Sequence, residues 1–175
     1  MSTSWGINLG GLLLSLGENL DREGLQDTPK RVERAWGEFL EGYALDPKAI
    51  LERTFRSESE GIQVCSNISF CSMCEHHLLP FFGTTLIVYR PNTQVAGLSK
   101  LARLVDCYAR RLQIQERMTQ QIADALFESL EPVGVLVICQ AKHLCCHGRG
   151  IRRSQMEFKT TAQCGKVDSS FWSMI

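Results

Sequence analysis

Two periodicities divide this chain. Up to about residue 57 the apolar positions fall at helical spacing; beyond it, runs of β-formers surround two longer helical patterns. Residues 7–17 predict a short helix ending near Gly17, followed by the polar, turn-rich segment DREGLQDTPKR. Thr28 then offers an N-cap, with Pro29 at the first helical position, where a missing N–H does no harm. Val32, Ala35, Trp36, Phe39, Leu40 and Tyr43 continue at helical spacing and predict an amphipathic helix stopping near Gly42. Asp46 and Pro47 repeat the cap logic for a shorter helix through about Glu52. The polar joint RSESEG, residues 56–61, places a boundary between an N-terminal helical segment, 1–57, and a main domain, 58–175.

After the joint, residues 64–70 and 84–90 are rich in β-formers and predict strands. The CEHH run of residues 74–77 falls in the loop between them, where functional residues often sit. Pro91 and Asn92 form a turn, and residues 94–96 extend a hairpin. Ser99 caps a helix with Leu101, Leu104, Val105, Tyr108 and Leu112 on one face. Met118, Ile122, Ala125, Leu126 and Ser129 mark a second helix, running to about Leu130 and ended by Pro132 and Gly134. Residues 135–139 are a continuously apolar strand, AKHLCCHGRG a loop, and 155–162 a last strand. Strands on both sides of a helix pair predict an α+β fold with an antiparallel sheet.

Length and composition narrow this further. A chain of 175 residues with 44% hydrophobic residues suits one domain with a sizeable core. No apolar run approaches a membrane span, and the N-terminus lacks a basic region and a cleavage site. The eight cysteines then read as thiols and metal ligands in a cytoplasmic protein, not as a disulfide framework. Net charge is zero, which argues against nucleic-acid binding, but the charge is uneven. Residues 1–60 carry eleven acidic and seven basic side chains, residues 61–175 eight and twelve. The basic excess lies around 90–117 and 142–159, beside the chemistry described next.

All four histidines sit within four residues of a cysteine: His76 and His77 in CSMCEHHLLP, His143 and His147 in AKHLCCHGRG. Thiolate and imidazole are the preferred ligands of zinc. A structural site would use four protein ligands, with Cys71-x-x-Cys74 as one half and Cys145, Cys146 or His147 completing it; a catalytic site would use three and keep a water. Spacing leaves both open. The adjacent His76 and His77 point in different directions, which leaves one imidazole free as acid or base. Ser99, Lys100, Arg103 and Arg149 occupy the same half of the chain, and a basic pocket around a metal suits hydrolysis of a phosphorylated substrate.

The stretch SMCEHHLLPFFG, then GLSKLARLVDCYARRLQIQERMTQQIADAL, then AKHLCCHGRG closely resembles GTP cyclohydrolase I, as does the entry segment LGENLDREGLQDTPKRV. The similarity runs from about residue 9 to 165, and the separated motifs keep their order. The resemblance implies hydrolysis of the GTP imidazole ring at C8, release of formate, and rearrangement and closure to 7,8-dihydroneopterin triphosphate. It implies a catalytic Zn2+ on Cys74, His77 and Cys145, whose bound water attacks C8. His76 and His143 would be the acid–base groups, and Ser99 would assist the rearrangement. Glu116, with Gln115 beside it, would recognise the guanine edge; Lys100, Arg103 and Arg149 would hold the triphosphate. The implied fold is a T-fold, an antiparallel sheet with a pair of helices on one face, assembled into a homodecamer of two stacked rings with active sites between subunits.

His147 and Gln140 depart from the family pattern, and the segment from Cys164 onward matches it poorly. Three other readings make different demands. A zinc-stabilised binding module would recruit Cys71 or Cys146 as a fourth ligand. A deazaguanine nitrile reductase would need a nucleophilic cysteine and a nicotinamide site, and partial chemistry would open the ring without closing it. The residues leave open which pathway takes the product and whether a regulatory partner protein binds.

Overall fold

The computed structural model describes residues 8–175, so residue 7 of the predicted first helix lies outside the described residues. The chain separates into two compact units, Met1–Phe39 and Leu40–Ile175. The boundary expected at 57/58 falls inside the second unit, where the segment before it packs on the main domain.

The first unit holds α1 (Leu9–Ser15) and α2 (Thr28–Phe39). Asn8 caps α1, its side chain accepting from Gly11 N–H at 2.8 Å, and Gly17 turns the chain out at φ +86°. Thr28 does not cap α2 as predicted. Its hydroxyl donates to the Gly24 carbonyl at 3.2 Å, one turn back. The Val32, Ala35 and Trp36 stripe of α2 is only partly covered.

The second unit opens with a 3-10 turn, Glu41–Ala44, which takes Tyr43 out of the predicted long helix. Asp46 caps α3 (Pro47–Leu51), accepting from Lys48 N–H, as the Asp-Pro pair predicts. The joint begins in a strand, β1 (Thr54–Arg56), which pairs with β4 (Gln94–Ala96) as a separate two-stranded sheet; residues 94–96 therefore do not extend a hairpin across the Pro91–Asn92 turn.

The main sheet has the order β5-β2-β3-β6-β7. It is built from β2 (Gln63–Cys74), β3 (Pro80–Arg90), β5 (Leu112–Gln113), β6 (Gly134–His143) and β7 (Phe158–Gly165). Its pairs are antiparallel except β2 with β5. Helices α4 (Leu98–Ala109) and α5 (Gln115–Leu130) carry the predicted apolar stripes, and with β2, β3, β6 and β7 they bury one continuous core. Val88, Leu136 and Ile138 form a smaller apolar cluster with Phe171 of the terminal turn α7 (Ser169–Trp172). Gly97, not Ser99, is the N-cap of α4, and Leu112 leaves the helix to pair in β5.

β3 runs through the middle and fixes the register on both sides. Met73 pairs with Pro80, and Phe81 pairs with His143. This close approach depends on Gly83. A Cβ there would stand 1.8 Å from the Gln140 carbonyl oxygen of β6, a backbone atom that cannot swing aside. Gly83→Ala is therefore expected to lower stability by about 3 kcal/mol through overpacking. Gly24→Ala, with open space around it, should stay within about 0.5 kcal/mol of wild type. Urea unfolding of the two variants checks the contrast.

Candidate active site

β2 is longer than predicted: Cys71 and Cys74 belong to the strand, and only residues 75–78 turn. Cys74 N–H donates to the Leu79 carbonyl at 2.9 Å, while the Cys74 carbonyl accepts from Leu78 N–H at 2.8 Å and His77 N–H at 3.3 Å. Leu78 closes the turn at φ 53°, a left-handed conformation costing a β-carbon residue roughly 1–2 kcal/mol. This tight turn brings His77 Nδ1 to 3.6 Å from Cys74 Sγ. Across β3, β6 ends at His143, and α6 (Leu144–His147), one helical turn where a loop was predicted, swings Cys145 inward. The ligand atoms of Cys74, His77 and Cys145 all lie within 4.8 Å of one another.

These residues fit a tetrahedral cation. Two sulfurs and an imidazole nitrogen are the donors such an ion prefers, and Zn–S bonds near 2.3 Å put tetrahedral donors about 3.7 Å apart. Burial, and then the neighbouring Cys146 and Cys74 sulfurs, push the Cys145 thiol up to about 11. Crowded thiols of this kind resist ionisation by themselves, and a bound cation reverses that. Cys71 is exposed and stands outside this group of three, as do His147 and Cys146, although the Cys146 sulfur lies 3.9 Å from that of Cys145.

His76 is exposed, its Nδ1 4.0 Å from Cys74 Sγ. The His143 ring stacks on Phe81, centroids 4.5 Å apart and planes 1° from parallel, with Phe158 at its edge. Burial lowers the His143 pKa, partly opposed by the Glu116 carboxylate. Glu116 is exposed at the start of α5, whereas Gln115 beside it is 1% exposed. Arg149 follows α6 in an exposed turn.

Ser99 and Lys100 lie in the first turn of α4, the end away from this cluster, and Arg103 stands midway along the helix. β5 pairs beside Met73 and Cys74, so the C-terminal end of α4 is the one near the metal turn. At the other end, the Ala96 backbone hydrogen-bonds Tyr89, which pairs with Gln63 at the start of β2. A helix of 12 residues separates the two ends by about 18 Å. Sequence reasoning missed Arg117, which pairs with Glu75 in the metal turn and donates to Gln113 at 3.0 Å. Its signal was its position two residues after Gln115 in the α5 first turn.

The model of one protein family, GTP cyclohydrolase I, matches residues 8–171. The chain belongs to the GTP cyclohydrolase I family. It is thereby a hydrolase. GTP cyclohydrolase 1 of Janthinobacterium sp. (strain Marseille) is 50% identical over 159 residues, 89% of this chain and 80% of that protein. That of Wolinella succinogenes is 50% identical over 151 residues, 86% and 81%, and that of Thermobifida fusca 47% over 162 residues, 91% and 78%. A solved structure, the archaeosine synthase QueF-Like in the apo form, superposes with a TM-score of 0.52 over 63% of this chain and 100% of its own. At 17% identity it shows the fold alone, the T-fold that the resemblance implied.

If the three-residue donor group is the metal site, Cys74→Ser, His77→Ala and Cys145→Ser should each reduce bound metal to background by elemental analysis. Cys71→Ser and Cys146→Ser should retain it. Loss of metal in either of the last two would restore the four-ligand arrangement.

Proposed function

We propose that this protein hydrolyses GTP at C8 of the guanine, releases formate, and closes the remainder to 7,8-dihydroneopterin triphosphate, the first step of pterin and tetrahydrofolate biosynthesis, in the cytoplasm. The observation that carries this reading is the Cys74–His77–Cys145 donor group beside the stacked His143, in a chain of this family. Two waters enter, at the ring opening and at the release of formate, and one leaves at ring closure.

Cys74, His77 and Cys145 would hold Zn2+, which when bound supplies Lewis acidity that activates water near neutral pH. His143, held against Phe81 at the strand end, exchanges a proton with the imidazole nitrogens of the substrate. His76, on the exposed side of the same turn, is the second acid–base group. The Glu116 carboxylate accepts from the N1–H and exocyclic amine of guanine, a pair that adenine does not present. Arg149 reaches the triphosphate from the turn after α6.

Ser99 and Lys100, in the first turn of α4, and Arg103, midway along it, would serve the site of a neighbouring copy. Lys100 and Arg103 would hold phosphates there, and Ser99 would assist the rearrangement. This division supports a homo-oligomer with sites between subunits, in the form of two stacked rings making a decamer. Among the described residues no helix is long and apolar enough to cross a membrane.

The test is a zinc-reconstituted assay with GTP that follows formate and pterin together. Equal release of both is expected, and neither from the chelated protein. A folded, zinc-loaded protein that releases neither would overturn the reading. Subunit mixing tests the division: Lys100→Ala and His143→Ala chains, each inactive alone, should recover about a quarter of wild-type turnover when co-assembled, because only sites drawing both intact halves work. No recovery would place both residues in one copy's site.

A further inference from the structure

The polar interior behind His143 has its hydrogen-bond directions fixed by chemistry, and they determine which ring nitrogen faces the reaction. His143 Nε2 lies 2.9 Å from Gln115 Oε1. The other end of the Gln115 amide meets the Cys139 carbonyl at 3.0 Å, the Phe158 carbonyl at 3.0 Å and Thr160 Oγ1 at 3.1 Å. Two of those three are carbonyl oxygens, which only accept. That end of the amide must be its NH2, since the opposite orientation would set oxygen against two carbonyls. Oε1 therefore points at His143, and an amide oxygen only accepts, so His143 Nε2 must carry the hydrogen.

The directions continue beyond the amide. Thr119 Oγ1 donates its one hydrogen to the Gln115 carbonyl at 2.7 Å. The Thr119–Thr160 contact of 2.6 Å must then run from Thr160 to Thr119, which leaves Thr160 Oγ1 free to accept from the Gln115 NH2. Gln115, Thr119 and Thr160 are all buried, and no buried side-chain polar atom in the described residues lacks a partner. A network satisfied throughout resists reorientation.

We propose that Gln115 is a positioning residue that holds His143 as the Nε2–H tautomer, so that Nδ1 is the nitrogen that exchanges protons with the substrate. The proposal deepens the cyclohydrolase reading and rests on it for what the proton exchange accomplishes. It also removes Gln115 from the guanine edge, because both ends of its amide are engaged inside the fold. The assignment holds in either charge state. A neutral ring offers Nδ1 as acceptor, and a cationic ring gives up the Nδ1 proton, because Nε2–H stays on Oε1 in both. Stacking on Phe81 and the edge contact with Phe158 fix the ring plane, so Gln115 has only the tautomer left to set.

The decisive measurement is solid-state 15N NMR of the zinc-loaded wild type carrying labelled histidine, without substrate, with the His143 resonances identified by their loss in His143→Asn. A protonated Nε2 and a bare Nδ1 are expected. The proton on Nδ1 would overturn the proposal whatever the activity, whereas wild type that releases no formate from GTP would overturn only the functional reading. Gln115→Met, close to isosteric but unable to hydrogen-bond, should lower kcat about 10- to 100-fold with zinc content unchanged. KM for GTP should move less than about threefold. A large rise in KM with kcat kept would mark a direct substrate contact and refute the assignment. Should Gln115→Met fail to fold, Thr160→Val keeps the amide and removes one partner, and a smaller loss in the same parameter is expected; unchanged kcat there, with the wild-type proton found on Nδ1, would dispose of the positioning role.

Discussion

The register of β3 between β2 and β6 is the constraint on which the site depends. Cys74 and His77 come from one side of that strand and Cys145 from the other, more than sixty residues apart in the chain. They meet because Met73 pairs with Pro80 and Phe81 with His143. A slip of one residue would turn every side chain of β3 to the opposite face. Phe81, Ile87 and Tyr89 hold the register from the core side, the first two fully buried. Burial of a side chain such as Phe81 contributes about 2–3 kcal/mol. The donor geometry is thus set by apolar packing before any ion contributes, and Gly83 is the point where the two backbones need room to come together.

The first turn of α5 distributes three consecutive side chains in three directions. Successive helical residues are rotated by about 100°, so Gln115 enters the core, Glu116 stands in solvent, and Arg117 reaches back to Glu75 in the turn after β2. Arg117 also holds the Glu75 carboxyl below its ordinary range, through the hydrogen bond first. Both partners of that pair are substantially exposed, so it adds little stability. It positions instead, because Arg117 also donates to the Leu112 carbonyl and the Gln113 side chain, tying the turn to β5.

Much of this was legible in the sequence, for identifiable reasons. The stripes of α4 and α5 obey a 3.6-residue period that burial then confirmed, and the Asp46–Pro47 cap appeared as read. The donor set was legible through the family motifs, since the residue pattern by itself left Cys71 and Cys146 open. Strand ends were harder. Ser72 is a fully buried hydroxyl in β2, facing the Arg111 carbonyl, so the strand continues through residues that look like a loop. β1, β5 and α6 are too short to show a period, and tertiary pairing alone makes them. Gln115 illustrates a different failure. Its neighbour Glu116 suggested a shared role, but Gln115, Met118, Thr119, Ile122 and Leu126 form one buried stripe, and that period was available to place Gln115 inside.

What periodicity does not carry is direction. Nothing in the helical pattern of residues 99–109 says which end of α4 lies near Cys74; only the parallel pairing of Leu112 and Gln113 with β2 decides it. The consequence for the proposed function is considerable. The Cys74–His77–Cys145 group and His143 gather at one end of β2, whereas Lys100, a cation that would neutralise a triphosphate, lies in the first turn of α4 at its other end, with Arg103 midway along the helix. A chain divided in this way offers a different half of the site at each end. Two copies meeting head to tail complete one site and leave one unmatched half at either extremity. Repeating the same contact removes those unmatched halves only when the row of copies closes on itself. On the proposed reading, a closed assembly, whether a two-fold pair or a ring, is one in which every Cys74–His77–Cys145 group would have its phosphate-binding partner.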